Sequence, residues 1–234
     1  MGIIDVKKRY KCKVIDTQPP VLFSDLQKMK KGCIGISMSN NIFFGNYLKG
    51  LLKWSENNFE NTLLVVGDYL GRINARIFQD CDEEKAIKRG LELGDLFLKH
   101  LESLDYNSSF FTVVRWSVFI NDPDFIAEHD KLKYHFQHNE PFKTLIMSSC
   151  EDFIDNQIAR GSSTSVSYKE AIKLSSEYIL EEMAVFGLLA YRGYRVQAYP
   201  GTQLPILKAL GNGLFPEVDS LLKHGIFVDL KIKK

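Results

Sequence analysis

Short apolar segments separated by helical patterns constrain the fold of this 234-residue chain most strongly. The apolar segments are residues 32–37, 61–67, 110–114 and 194–199, and a further strand is predicted over 226–232. Near-continuous apolar runs of this length are typical of strands buried on both faces, as in a parallel sheet.

Helical patterns fill the intervals between these strands. They cover residues 41–54 and 83–104, two stretches before and after Pro141, and a stretch from the Ser167–Glu170 capping box to about residue 191. The alternation predicts an α/β fold: a Rossmann-type parallel sheet with helices on both faces. Residues 1–30 show no strong pattern.

The length predicts a single domain over 1–234. Thirty basic and 29 acidic residues leave a net charge of +1, which excludes a protein held to nucleic acid by bulk charge. The first residues lack a signal-peptide pattern, and the apolar stretch 183–191 is too short to cross a bilayer. The four cysteines are widely spaced and form no CxxC pair, so we expect a reduced, cytoplasmic chain without structural zinc.

Ligands of parallel α/β sheets bind where the strands end, and Ser37, Asp68 and Tyr199 follow three of the predicted strands. Ser37 also precedes a helix, whose dipole would favour the negative charge that develops when a serine attacks a carbonyl. The alternative is a serine that only caps that helix, and position alone favours it about two to one.

A serine hydrolase is poorly supported. The stretch from Gly35 to Ser39 resembles a G-x-S-x-G elbow, but its last glycine is replaced by Ser39. His224 is the only histidine after position 138, and it reads as the end of a helix. His135 and His138 lie three residues apart without a third metal ligand nearby, so we expect solvated histidines and no metal.

Tyr178 and Glu182 are four residues apart on the capped helix and therefore share one face. Val185 continues that face, which should pack toward the sheet. A carboxylate held on an apolar face needs a partner, and a ligand's ammonium group is one candidate. The other is a lysine or arginine of the chain itself. Glu181 is expected on a different, solvated face.

Basic residues cluster at helical spacing at Lys85, Lys88 and Arg89. A few such side chains suffice for salt-dependent phosphate contacts, although charge runs usually mark a solvated helix face. Phosphate-binding motifs of the GxxxxGK[ST] and GxGxxG types are absent from the sequence, so we expect no ATP, NAD or metal and no other cofactor.

Together these residues resemble the cyclodipeptide synthases. The first motif of that family is a strand with a glycine, an aliphatic residue and a nucleophilic serine, here Gly35-Ile36-Ser37. The second is a tyrosine followed four residues later by a glutamate, here Tyr178 and Glu182, and a later tyrosine completes the set as Tyr199. The match in length and order covers essentially the whole chain.

The resemblance implies the fold of class I aminoacyl-tRNA synthetase catalytic domains. It also implies an aminoacyltransferase that joins the amino acids of two aminoacyl-tRNAs into a cyclic dipeptide. Such an enzyme needs no membrane or metal partner, and a monomer is possible. Ser37 would carry first an aminoacyl and then a dipeptidyl group, in a ping-pong sequence. Tyr178 and Glu182 would hold the ammonium group and relay protons, and Tyr199 would position the substrate.

The resemblance further implies that Cys33, Gly35 and Val185 line the first aminoacyl pocket, and that Lys85, Lys88 and Arg89 contact tRNA. Tyr199-Pro200 is similar to the Tyr-Pro branch of the family, whereas Asn40, a possible substrate contact, is more typical of the other branch. Two alternatives stay open: a stripped class I synthetase, which should carry ATP motifs, and a non-catalytic tRNA-binding module, which would not need Ser37.

Overall fold

The computed structural model describes residues 10–26 and 28–233. The amino-terminal residues in which no signal peptide is expected lie outside these ranges. The strands of the sheet are β1 (Lys11–Gln18), β2 (Lys31–Ile36), β3 (Asn61–Val66), β4 (Phe111–Arg115), β5 (Val196–Tyr199) and β6 (Ile226–Lys233). The helices are α1 (Phe23–Leu26), α2 (Gly45–Asn58), α3 (Gly71–Phe78), α4 (Glu83–Glu102), α5 (Pro123–His138), α6 (Glu140–Ala159), α7 (Tyr168–Tyr191) and α8 (Pro205–Gly211).

The six-stranded sheet has the order β1-β6-β5-β2-β3-β4. Strands β6, β5, β2, β3 and β4 run parallel to one another, and β1 pairs antiparallel with β6 at one edge. The predicted α/β fold is therefore confirmed, including each of the five predicted strands. The sequence analysis missed β1, whose alternating exposed and half-buried residues are typical of an edge strand.

Helices cover both faces of the sheet. One apolar core packs α3, α5, α6 and α7 against the face that carries Cys33, Leu63 and Val65, and a second packs α2 and α4 against the face of Ile34 and Leu64. Successive residues of a strand point to opposite faces, which explains why neighbouring residues of β2 and β3 belong to different cores.

The predicted helix ends are also found. The hydroxyl of Ser167 accepts a hydrogen bond from the backbone N–H of Glu170, which starts α7 as the capping box predicts. Pro141 lies in the first turn of α6, where the missing N–H costs nothing. Helix α3, only eight residues long, is not among the predicted helices.

The chain reverses its direction across the sheet between β2 and β5. From β2 it moves through β3 to β4 on one side, whereas β5 and β6 lie on the other side. In open α/β sheets such a reversal leaves a crevice at the carboxyl ends of the two strands. Ser37 follows β2 and Tyr199 ends β5, so the fold brings these two residues to the crevice.

Candidate active site

The crevice opens into a cavity of about 560 Å³. Its walls come from the ends of β2, β3 and β5 and from helices α6, α7 and α8. Of the predicted site residues, it brings together Gly35, Ser37, Asn40, Tyr178, Glu182 and Tyr199. These residues are up to 164 positions apart in the sequence, so the fold, and not local sequence, assembles the site.

Ser37 places its hydroxyl directly after the carboxyl end of β2. It is half-buried, lines the cavity, and its Oγ lies 3.2 Å from Oγ of Ser39. The cap of the following 3₁₀ turn is Asn40, whose side chain accepts a hydrogen bond from the backbone N–H of Ile42. Ser37 is thus not a helix cap, and the alternative that this serine only caps the following helix is excluded.

The expected contribution of a helix dipole at Ser37 needs correction. The segment after Ser37 forms the 3₁₀ turn Asn41–Phe43, and the long helix α2 begins only at Gly45. A dipole acts over the first turn of its own helix. The serine is therefore placed by the strand end and the crevice rather than by a helix amino terminus.

Tyr178 and Glu182 face the cavity from α7, as their spacing predicts. In the part of the chain that the structure describes, no lysine or arginine forms an ion pair with Glu182. Burial raises the pKa of the Glu182 carboxyl to about 7. A carboxyl group with this pKa exchanges its proton near neutral pH and becomes fully charged when a cation enters the cavity.

Both tyrosines of the site stay protonated at neutral pH. Burial raises the pKa of Tyr178 well above its ordinary value, and negative charge on Glu182 adds to the effect. Burial and the Glu182 charge also raise the pKa of Tyr199, while a side-chain hydrogen bond with Asn40 acts in the opposite direction. The cavity therefore presents two phenolic O–H groups beside one carboxyl group.

Asn40 and Tyr199 both line the cavity, and the Asn40 side chain lies close enough to act on the pKa of the Tyr199 hydroxyl. Asn40 also uses its amide oxygen to cap the 3₁₀ turn. Asn40 therefore lies at the cavity wall, where a substrate contact is expected from sequence.

Gly35 lines the cavity as expected, but the placement of Cys33 and Val185 needs correction. Both side chains lie in the packed core and are absent from the cavity wall, with 1% and 0% of their surface exposed. The side chain that contacts Gly35 is Phe186: a Cβ built on Gly35 lies 2.7 Å from its Cζ. The aromatic ring, one residue beyond Val185, therefore forms the wall at this level.

Glu181 also departs from expectation, because its carboxylate is buried and not solvated. It accepts two hydrogen bonds from the Arg72 guanidinium, at 3.0 and 2.7 Å, and one from the Trp116 indole at 2.8 Å. Helix α7 is packed by α3, α5 and α6 on the sides that do not face the sheet, so a neighbouring residue on this helix does not reach solvent. The cationic partner of Glu181 was not recognised from the sequence: it is Arg72, which lies four residues after Asp68.

Asp68, expected at the ligand edge, is a structural residue. Its carboxylate is fully buried, and it binds the guanidinium of Arg115 and the backbone N–H groups of Tyr69 and Trp116. The carboxylate thereby joins the ends of β3 and β4. It borders a second, smaller cavity beside the main one, but its oxygens serve the fold.

The predicted basic cluster lies exposed on α4, beside the site. Lys85 forms an ion pair with Asp82 at 3.1 Å, so one of the three positive charges of the cluster is already paired within the chain. Arg89 borders a cavity of about 150 Å³ that is also lined by Ser37, Ser39 and Tyr178. Gly90 allows this proximity, because a Cβ there would collide with the carbonyl oxygen of Asp68. Of the basic cluster, Arg89 thus lies beside Ser37.

The histidines show no metal site. His138 contacts the backbone oxygen of Tyr134 and stacks on the Tyr134 ring. Among the described residues no group of three or more potential metal ligands comes together. No helix among them is long and apolar enough to cross a membrane.

No protein-family model and no curated protein matches this sequence. Solved structures do match. A cyclodipeptide synthase from Fluoribacter dumoffii superposes with a TM-score of 0.78 at 20% identity, over 96% of this chain and 98% of that chain. The chain has the cyclodipeptide synthase fold. At this identity, the similarity establishes the cyclodipeptide synthase fold alone.

Two further structures connect this fold to tRNA. The cyclodipeptide synthase of Candidatus Glomeribacter gigasporarum, solved bound to Phe-tRNAPhe, matches with a TM-score of 0.59 at 16% identity, over 86% of each chain. Tyrosyl-tRNA synthetase of Archaeoglobus fulgidus, solved with L-tyrosine, matches with a TM-score of 0.56 at 14% identity, over 88% of this chain and 56% of that chain. The expected likeness of the fold to an aminoacyl-tRNA synthetase is confirmed.

Proposed function

We propose that the protein is a tRNA-dependent cyclodipeptide synthase. It joins the amino acids of two aminoacyl-tRNAs into a cyclic dipeptide. The observation that carries the proposal is the cavity that Ser37 shares with Tyr178 and with the Glu182 carboxyl group, which pairs with no lysine or arginine among residues 10–26 and 28–233. This geometry provides a nucleophile and an ammonium-binding group in a fold whose solved examples include a tRNA complex.

In the first step, Ser37 Oγ attacks the carbonyl carbon of an aminoacyl-tRNA ester. A new ester forms on Ser37, the bond from that carbon to the ribose oxygen breaks, and the hydroxyl proton passes to the departing ribose oxygen. Glu182 holds the substrate ammonium group, and the protonated Tyr178 donates a hydrogen bond to the substrate. The exchange of one ester for another requires no ATP.

In the second step, the amine of another aminoacyl-tRNA attacks the Ser37 ester. A peptide bond forms, Ser37 is released from the first carbonyl, and transfer of the dipeptide from its tRNA restores the serine ester. Finally the free amine of the dipeptide attacks that ester, which closes the ring and frees Ser37. Glu182, with a pKa of about 7, accepts and returns protons in these steps.

The surrounding surfaces fit this chemistry. The exposed cations Lys88 and Arg89 on α4 bind the tRNA backbone next to the entrance, with Lys85 at the edge of the patch. Tyr199 and Asn40, which both line the cavity, position the substrate. We assign the chain to the Tyr-Pro branch on Tyr199-Pro200, and treat it as one domain that works in the cytoplasm, where aminoacyl-tRNAs are made.

Expression in a bacterial host followed by mass spectrometry of the medium tests the proposal. The wild type should release one or a few cyclic dipeptides, and Ser37→Ala none. An ATP–pyrophosphate exchange assay on the same preparation should be negative. Amino-acid-dependent exchange would favour the stripped synthetase instead, and tRNA binding without any cyclic dipeptide would favour the non-catalytic module.

A further inference from the structure

Gln197, on β5, is a buried polar side chain with an unpaired acceptor. Its side chain is only 4% exposed. The amide nitrogen donates to the backbone oxygen of Phe186 at 2.5 Å, whereas the amide oxygen Oε1 has no hydrogen-bond partner within residues 10–26 and 28–233. Exchanging the two ends of the amide would set its oxygen against the Phe186 oxygen, so the acceptor stays unpaired.

Gln197 lies at the inner end of the cavity that begins at Ser37. It is in register with Cys33, four residues before Ser37 on the neighbouring strand, and four strand residues span about 13 Å. Along α7, Tyr178, Glu182 and Phe186 follow one another at one-turn intervals. Tyr178 borders Ser37 and Phe186 contacts Gly35, so the helix runs from the entrance toward the inner end.

A neighbouring donor does not satisfy this acceptor. The amide nitrogen of Gln203, which also lines the cavity, donates to the backbone oxygen of Gln197 at 3.4 Å and not to Oε1. A buried acceptor without a partner is unfavourable, and filling the adjacent space with an apolar group would maintain that cost. A ligand group that carries a donor removes it.

We infer that Gln197 determines the amino acid bound first, selecting a long or aromatic side chain that ends in a hydrogen-bond donor. This inference rests on the proposed function. With the ester on Ser37 and the ammonium group on Glu182, the side chain extends along Phe186 toward Gln197. Short side chains do not cover that distance, and long apolar ones leave Oε1 unpaired.

Matched aminoacyl-tRNAs test the inference on the wild-type protein. The same tRNA is charged separately with each of four amino acids, which form two matched pairs. Tyrosine and phenylalanine differ by one hydroxyl, and glutamine and methionine are similar in length. The rate of covalent labelling of the protein is measured by quenched gel assay. We expect the donor-bearing member of at least one pair to label at least about ten-fold faster, the discrimination that one satisfied buried polar group provides.

Gln197→Leu should abolish that preference or reverse it toward the apolar member. Gln137→Leu, the same change at an exposed site on α5, should retain it. Equal or faster labelling by the apolar member of both pairs in the wild type overturns the inference, whether or not Gln197→Leu folds. Absence of labelling by every aminoacyl-tRNA contradicts the proposed function itself, so the two failures are distinguishable.

Discussion

Arg72 on α3 binds Glu181 on α7 through two hydrogen bonds, at 3.0 and 2.7 Å, with both side chains largely removed from solvent. Glu181 precedes Glu182 by one residue. The ion pair therefore fixes the rotation of α7 at the point where Glu182 must face the cavity. Trp116, which lines the cavity, is held by the same carboxylate.

Arg72→Met should destabilise the fold by about 3 kcal/mol, because it leaves the Glu181 carboxylate buried without a cation. Arg76→Met, on the same helix but paired with the more exposed Glu83, should cost less than about 1 kcal/mol. Urea unfolding measures both. The double variant Arg72→Met/Glu181→Met should recover much of the loss. Equal effects of the two arginine substitutions would contradict the assigned role of the pair.

Glu182→Gln should become more stable relative to the wild type as the pH rises. The pKa of Glu182 is about 7 in the folded protein and 4.5 as its ordinary value, so the folded state binds the extra proton between these values. Wild-type stability attributable to this group is present below pH 4.5 and lost as the pH rises through 7. The carboxamide carries no such dependence.

The expected change between pH 5 and pH 8 is up to about 2 kcal/mol in the difference between variant and wild type, since the group lies in an open cavity. Thermal melts at the two pH values measure it. Glu177→Gln, on the same helix and outside the cavity wall, serves as the control substitution. If the stability difference between Glu182→Gln and the wild type is the same at both pH values, burial does not raise the pKa of Glu182.

Gly35→Ala should cost about 1–3 kcal/mol, because its methyl group would lie 2.7 Å from Cζ of Phe186 and force the ring or α7 to move. Adding Phe186→Leu should restore part of the stability by removing the ring. Denaturant unfolding of the single and double variants measures this coupling. If the losses in the free energy of unfolding of the two single variants simply add in the double variant, the Gly35–Phe186 contact does not set the distance between α7 and the sheet.

Reversing the charges of Lys88 and Arg89 to glutamate should weaken tRNA binding about ten-fold or more at low salt. The slope of log affinity against log salt should fall by about 2, one for each lost phosphate contact. Fluorescence anisotropy over a salt series measures both. Lys13→Glu/Lys231→Glu, exposed lysines paired across β1 and β6, reverses the same charge elsewhere. Equal weakening by this control would place tRNA binding outside α4.

The sequence predicted the central strands and the face shared by Tyr178 and Glu182, because both depend on local periodicity. It missed β1, which pairs with β6 across more than 200 residues and has only one face on the core. It also misplaced Glu181. Periodicity assigns the face of a helix, but whether that face is solvated depends on which other helices pack there, and α7 is surrounded.

Pocket residues were the hardest to predict. Cys33 and Gly35 share one face of β2, yet only Gly35 lines the cavity, and the ring of Phe186 fills the place that a side chain at Gly35 would take. Gln197 showed no signal beyond being the polar residue of an apolar strand. Its significance depends on an amide oxygen that has no hydrogen-bond partner among the described residues, and only the packed structure reveals this.

Covalent trapping on Ser37 tests the central claim most directly. The wild type is incubated with tRNA charged with radiolabelled amino acids, quenched in acid and separated on a denaturing gel, and the labelled peptide is identified by mass spectrometry. We predict an ester-linked label on Ser37 that is absent from Ser37→Ala and still forms in Ser39→Ala, whose hydroxyl lies 3.2 Å away. Label that persists in Ser37→Ala, or that maps to Ser39, would contradict the account.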